Sequence, residues 1–203
     1  MRPLLALALL TLAASPAAAQ TTWKLRADRD AATDKVVLKE SGGTIDVTTG
    51  PAVVAWKPAQ VATGAYRLSA TFTQKKAPAH PEAYGLVVGG RDLDGPKPDY
   101  LYVLVRGDGA FLVKHRAGAE VHTMQDWTKS PAVKAADAKG VATNELAVEA
   151  TAAGVAVKVN GQQVYTLARS GYLNTDGIAG LRVNHGLELA VSGLTVTPLP
   201  ATK

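Results

Sequence analysis

Between Tyr100 and Arg106 the chain reads Tyr-Leu-Tyr-Val-Leu-Val-Arg, a run that alternates two chemistries. In an extended strand successive side chains point to opposite faces. Leu101, Val103 and Val105 therefore turn to a core, while Tyr100, Tyr102, Leu104 and Arg106 share the other face. The next run sets Lys114 and Arg116 opposite Phe111, Val113 and His115. Near the C-terminus, Arg182 and Asn184 stand opposite Leu181 and Val183. If these strands are neighbours, two tyrosines and up to four cations share one outer face. Such a mixture suits a sugar, whose apolar C–H faces stack on rings while its hydroxyls take polar contacts. Guanidinium forks would also suit a carboxylated sugar. The carbohydrate-binding candidates are Tyr100, Tyr102 and Trp127 for stacking, and Arg106 and Arg182 for polar contacts. Trp127 joins them because it lies in the long stretch 118–143, read as a loop able to overhang the sheet. The competing reading is a solvated face on which Arg and Lys snorkel, and a one-residue bulge would reverse the assignment.

Other chemistries find less support. Glycoside hydrolysis needs two carboxylates about 5 to 9.5 Å apart. None of the six glutamates has an aspartate two residues later, so no Glu-x-Asp-x-x-Glu pattern sets carboxylates on one strand face. Glu145 and Glu149 share a parity but stand roughly 13 Å apart in an extended strand. Asp92 and Asp94 could meet Asp108 or Asp126 only through loop folding. Asp92, Asp94 and Asp99 are also the weak candidates for a metal, calcium, which wants six to eight oxygens; aspartates capping their own turn are the simpler reading. The four histidines lack His-x-x-x-His spacing, and His115 and His185 fall at inward parities. No Gly-x-Ser-x-Gly elbow occurs. Arg106-Gly107-Asp108 spells an adhesion tripeptide but sits at a hairpin, where Asp108 has a turn role.

The elements that must position these residues are short strands. Twelve are expected: 35–40, 44–48, 53–57, 65–74, 84–89, 100–106, 110–116, 144–150, 155–159, 162–167, 177–183 and 187–197. Tyr66, Leu68, Ala70 and Phe72 alternate with polar residues, as do Val155, Val157 and Val159. Asn160-Gly161 and Asp108-Gly109 are both read as type I′ hairpin turns. The stretch 118–143 is expected to hold one short helix near 130–138. Residues 20–34 are polar and ambiguous, with Trp23 as their anchor. The expected architecture is all-β, a two-sheet antiparallel jelly-roll sandwich.

Arg2, the apolar run Leu4–Leu12, the break at Ser15-Pro16 and Ala17-Ala18-Ala19 compose an export signal over 1–19. That run is too short to span a membrane. Residues 20–203 are expected to form a single domain, exported to the periplasm or secreted, with no membrane span after cleavage. No cysteine is present, which excludes disulfides and thiolate chemistry. The net charge of +5 is spread along the chain, without the basic stripe of a nucleic-acid binder.

Tyr84-Gly85-Leu86-Val87-Val88-Gly89-Gly90, the run Tyr100–Arg106 closed by Gly107-Asp108-Gly109, Trp127, Asn144-Glu145-Leu146, Val159-Asn160-Gly161 and Gly177–Val183 resemble one family. They are similar to exported bacterial members of the concanavalin A-like lectin/glucanase superfamily, near the laminin G-like and 3-keto-disaccharide hydrolase-like sandwiches. The resemblance covers about half the chain. It implies two antiparallel sheets with sugars bound on the concave one. It implies a carbohydrate or polysaccharide partner, and the fold hosts lectins, hydrolases and adhesion modules alike. The leading expectation is a non-catalytic lectin-like protein without an organic cofactor. The alternatives are a glycoside hydrolase and a structural or adhesion module with a protein partner.

Overall fold

The computed structural model describes residues 22–171 and 173–200; the export signal expected over 1–19 lies outside them. Among the described residues the chain forms fourteen strands and one short 3-10 turn, with no α-helix. The strands are β1 (Lys24–Ala27), β2 (Val37–Ser41), β3 (Thr44–Thr48), β4 (Val53–Ala62), β5 (Tyr66–Gln74), β6 (Ala83–Arg91) and β7 (Asp99–Arg106). They continue as β8 (Ala110–Ala117), β9 (Glu120–Lys129), β10 (Ala142–Thr151), β11 (Gly154–Val159), β12 (Gln162–Ala168), β13 (Gly177–Val183) and β14 (Glu188–Pro198). The 3-10 turn, Asp28–Asp30, follows β1 directly.

Two seven-stranded sheets result. The front sheet runs β1-β4-β13-β6-β7-β8-β9 and the back sheet β12-β11-β10-β5-β14-β3-β2, with every pairing antiparallel. The expected two-sheet sandwich is therefore the observed one. Alternation places the core as anticipated: Leu101, Val103 and Val105 of β7 meet Tyr66, Leu68 and Phe72 of β5 within one buried cluster. Phe72 and Tyr84 pack across it with ring centroids 5.4 Å apart. Each such side chain contributes about 1.5–3 kcal/mol through burial.

The two outer faces differ. The back sheet's is polar: Arg67 bridges Glu145 and Glu149 at 2.8 and 2.9 Å, Lys158 reaches Glu149 at 2.8 Å, and Thr73 bonds Thr143. The front sheet's outer face carries a second buried apolar cluster, including Val54, Trp56, Val87, Tyr100, Tyr102 and Leu104. A sheet face that merely meets water has no need of such residues.

Several local expectations need correction. The stretch 118–143 holds no helix near 130–138; it begins with β9, an edge strand paired to β8, and Trp127 lies on that strand rather than in an overhanging loop. β1 was hidden in the ambiguous N-terminal stretch. Asn160 and Gly161 both have positive φ (49° and 80°), as a type I′ turn requires. The turn at Asp108-Gly109 is different, because only Gly109 has positive φ (84°) and the loop spans three residues, 107–109. The Asp108 carboxylate explains this: it accepts from Ala110 N and from the Arg106 side chain, bonds that hold it in the right-handed half of the turn. His185 is 62% exposed rather than inward, since β13 ends at Val183 and alternation ends with it.

Candidate functional site

The outer face of the front sheet is assembled row by row from the register. Arg26 of β1 stands beside Val54, Val54 beside Arg182, Arg182 beside Gly85, Gly85 beside Leu104, and Leu104 beside Leu112. The neighbouring row runs Lys24, Trp56, Gly180, Val87, Tyr102 and Lys114. Gly85 is decisive in the first row. A Cβ there would meet the Val103 carbonyl oxygen at 1.9 Å. With no side chain at that place, the Arg182 guanidinium extends across β6 to lie 5.9 Å from the Tyr102 ring, on the strand beyond.

The loop between β6 and β7 is strapped over this face. Arg26 Nη1 donates to the carbonyls of Leu93 (3.0 Å) and Gly95 (2.6 Å), and Lys24 pairs with Asp94 at 2.5 Å. Leu93 is buried against the apolar cluster beneath. Asp92, at φ 50°, turns the loop by accepting from Lys97 N at 2.7 Å. Asp99 meets His115 (3.2 Å) and Arg91 (3.3 Å). The three aspartates considered for calcium thus each bind a protein donor. Among the described residues no group of three or more His, Cys, Asp or Glu could hold a metal ion.

Beside the strap lies a recess of about 200 Å³, lined by Arg26, Asp28, Arg29, Pro96, Tyr100 and Arg116 among others. Tyr100 is 3% exposed and Tyr102 9%, with ring centroids 5.6 Å apart. Arg182, 8% exposed, donates through Nη1 to Asp28 Oδ1 at 2.7 Å and through Nη2 to Oδ2. Its Nε is buried without a partner among the described residues. Burial would raise the Asp28 carboxyl, but the hydrogen bonds and charge of Arg182 outweigh it and hold the group below its ordinary value. Burial pushes the Tyr102 hydroxyl up to about 12 despite the opposing charge of Arg182. Tyr100 is raised for the same reason, with Arg182 and Arg116 pulling against it. Both tyrosines are therefore neutral donors at any ordinary pH.

Of the five sugar-binding candidates, Tyr100 lines this recess, while Tyr102 packs against Tyr100 and Arg182 binds Asp28 beside it. Arg106 and Trp127 form a separate pair towards the opposite end of β7. The Arg106 guanidinium sits 4.3 Å from the centre of the Trp127 ring and makes two bonds to Asp108, at 2.9 and 2.7 Å. Asp108 also accepts Lys129 and lies well below its usual carboxylate range, chiefly through Arg106. Near that end a second recess, about 300 Å³, lies between the 75–82 loop and Gly107–Asp108, with the buried Gln74 amide in its wall.

The sequence reading missed Arg26, Asp28 and Arg29. All three lie in 20–34, where no periodicity flags a strand, and Asp28 meets Arg182 across 154 residues.

The arrangement of two antiparallel seven-stranded sheets has close counterparts among solved structures. The chain superposes on carbohydrate-binding module CBM66 from Bacillus subtilis with a TM-score of 0.65 at 12% identity, covering 87% of this chain and 96% of that one. A Bacillus subtilis protein of unknown function with a galectin-like fold gives 0.62 at 10% identity, covering 87% and 89%. The fold is a concanavalin A-like jelly roll. A candidate glycosyl hydrolase from Parabacteroides distasonis shares this jelly roll, with a TM-score of 0.52 at 15% identity over 88% of this chain and 100% of that one. No protein-family model matches the sequence, and no curated protein does.

Proposed function

We propose that this chain is an exported, non-catalytic carbohydrate-binding protein that seats its ligand in the recess on the outer face of the front sheet. The observation that carries this reading is the recess itself, whose lining brings together a nearly buried tyrosine, two prolines and three arginines that form no ion pair with a carboxylate of the described residues. Sugars want that combination of ring and donor. CBM66, a carbohydrate-binding module, has the same fold, which supports the reading at the level of architecture. The signal-like segment 1–19 supports export.

A hydrolase would need two carboxylates flanking one bond. The one carboxylate lining this recess, Asp28, has both oxygens committed to Arg182. Glu145 and Glu149, the same-parity pair of the sequence, are bridged by Arg67 on the far side of the sandwich. Both facts favour binding over hydrolysis. Binding proceeds without calcium on this reading, because Asp92, Asp94 and Asp99 are each engaged by protein donors.

A glycan-array screen of the purified protein, with calcium and again with chelator, tests the proposal. Selective binding that survives chelation is the expected result. A blank array at high protein concentration would contradict it, and release of reducing sugar from a bound glycan would replace it with the hydrolase reading.

A further inference from the structure

The recess carries more positive charge than its own residues balance. Arg26, Arg29 and Arg116 all line it, and Asp28 is the one carboxylate among its lining groups. That carboxylate is already paired with a fourth arginine, Arg182. The pair is neutral as a unit, so three guanidinium charges remain around about 200 Å³.

None of the three forms an ion pair with a carboxylate of the described residues, although the charge of Arg116 is felt at Asp28. Arg26 spends Nη1 on the carbonyls of Leu93 and Gly95. Arg116 spends Nε on the Gly118 carbonyl at 2.8 Å, and its two terminal nitrogens make no hydrogen bond to the described residues. Arg29 is held at φ 54°, ψ 35°, a left-handed conformation that costs a non-glycine residue about 1–2 kcal/mol. Strain of that kind persists where the surroundings enforce it and is concentrated at ligand sites. The Nε of Arg182, which holds the lining residue Asp28, is buried with no acceptor among the described residues. Converging cations with low-dielectric walls attract an anion and repel one another in its absence.

Resting on the carbohydrate reading of this site, we infer that its ligand is an anionic sugar, one that carries a carboxylate or a sulfate ester. Either group accepts the forked pair of bonds that a guanidinium offers. The terminal nitrogens of Arg116 supply the fork, Arg29 closes the rim, and Pro96, exposed where Pro98 and Tyr100 are buried, receives the apolar side of the ring. A neutral sugar in the same place would leave the three charges unanswered.

The test is a set of NMR titrations of the purified protein with methyl glucuronide, methyl glucoside, a sulfated methyl glucoside and inorganic sulfate. The acid sugar, the sulfated sugar or both should bind at least tenfold more tightly than the neutral glucoside at low salt, and that advantage should shrink as salt is raised. Whichever of the two binds more tightly identifies the source of the anion. Arg116→Gln should remove most of the advantage. Arg29→Asn should reduce it too; asparagine tolerates the left-handed conformation, so the fold is kept. Equal affinity for acid, sulfated and neutral sugars would overturn this inference and leave the carbohydrate reading standing. Binding of inorganic sulfate as tight as that of either anionic sugar would reduce the recess to a simple anion site. Failure of every sugar, with spectra of a folded protein, would overturn both readings.

Discussion

Arg182 and Asp28, 154 residues apart, form a two-bond guanidinium–carboxylate pair that joins β13 to the turn after β1 on the outer face of the front sheet. Arg182 is nearly buried, so the pair fixes the N-terminal segment over the sheet and holds Asp28 in the lining of the recess.

Removing one partner of a buried pair strands the other's charge. Asp28→Ala should destabilise the fold by about 2–4 kcal/mol in urea unfolding, somewhat less than a fully buried pair because Asp28 is one-third exposed. The double variant Asp28→Leu with Arg182→Leu should recover much of that loss.

The same pair sets an acid limit. The Asp28 carboxyl lies below its ordinary value in the folded protein, so the stability it contributes is complete above the unfolded value of 3.8 and is lost as pH falls below it. Thermal denaturation from pH 6 down to about pH 2 should show a decline near the bottom of that range. In Asp28→Asn this part of the decline should be missing.

Tyr102 sets the alkaline counterpart. Its hydroxyl is pushed up to about 12 by burial, so its contribution is complete below the ordinary value of 10.0 and is lost as pH rises from there towards 12. Two pH units correspond to about 3 kcal/mol. Tyr102→Phe should flatten the alkaline loss of stability, with tyrosinate absorbance reporting one fewer late-titrating group.

Asn144 is a second node. It is 1% exposed, accepts from Lys134 N and Asn160 Nδ2 at 2.8 Å each, and donates to the Lys134 carbonyl at 3.0 Å. It ties the irregular 130–136 segment to the β11–β12 hairpin. Asn144→Ala should cost about 2–4 kcal/mol by leaving these groups buried and unpaired. Ligand affinity should be unchanged in the surviving folded fraction.

These residues mark what was legible in the sequence. The alternation in β5, β7 and β11 gave both strand and face, because one side of each must be apolar to build the core. The Asn160-Gly161 turn was legible because two successive positive φ angles select those residue types. β9 was not: as an edge strand it is exposed on most positions and bulged against β8, so no two-residue period survives. Tyr100, Tyr102 and Arg182 were correctly placed on one outer face by parity alone. That this face would be buried under the 91–98 loop, and that Arg182 would be claimed by Asp28, depend on tertiary contacts that no local pattern encodes. Arg106 and Trp127 share that face by register yet bind each other at its far end.

The binding site itself can be located by chemical-shift mapping, with a glycan selected on the array titrated into isotopically labelled protein. A ligand seated in the recess should perturb Arg26, Asp28, Tyr100, Arg116 and Gly118 most strongly. Perturbations concentrated instead around Gln74, Gly107 and Gly140, or on the polar outer face of the back sheet, would contradict it.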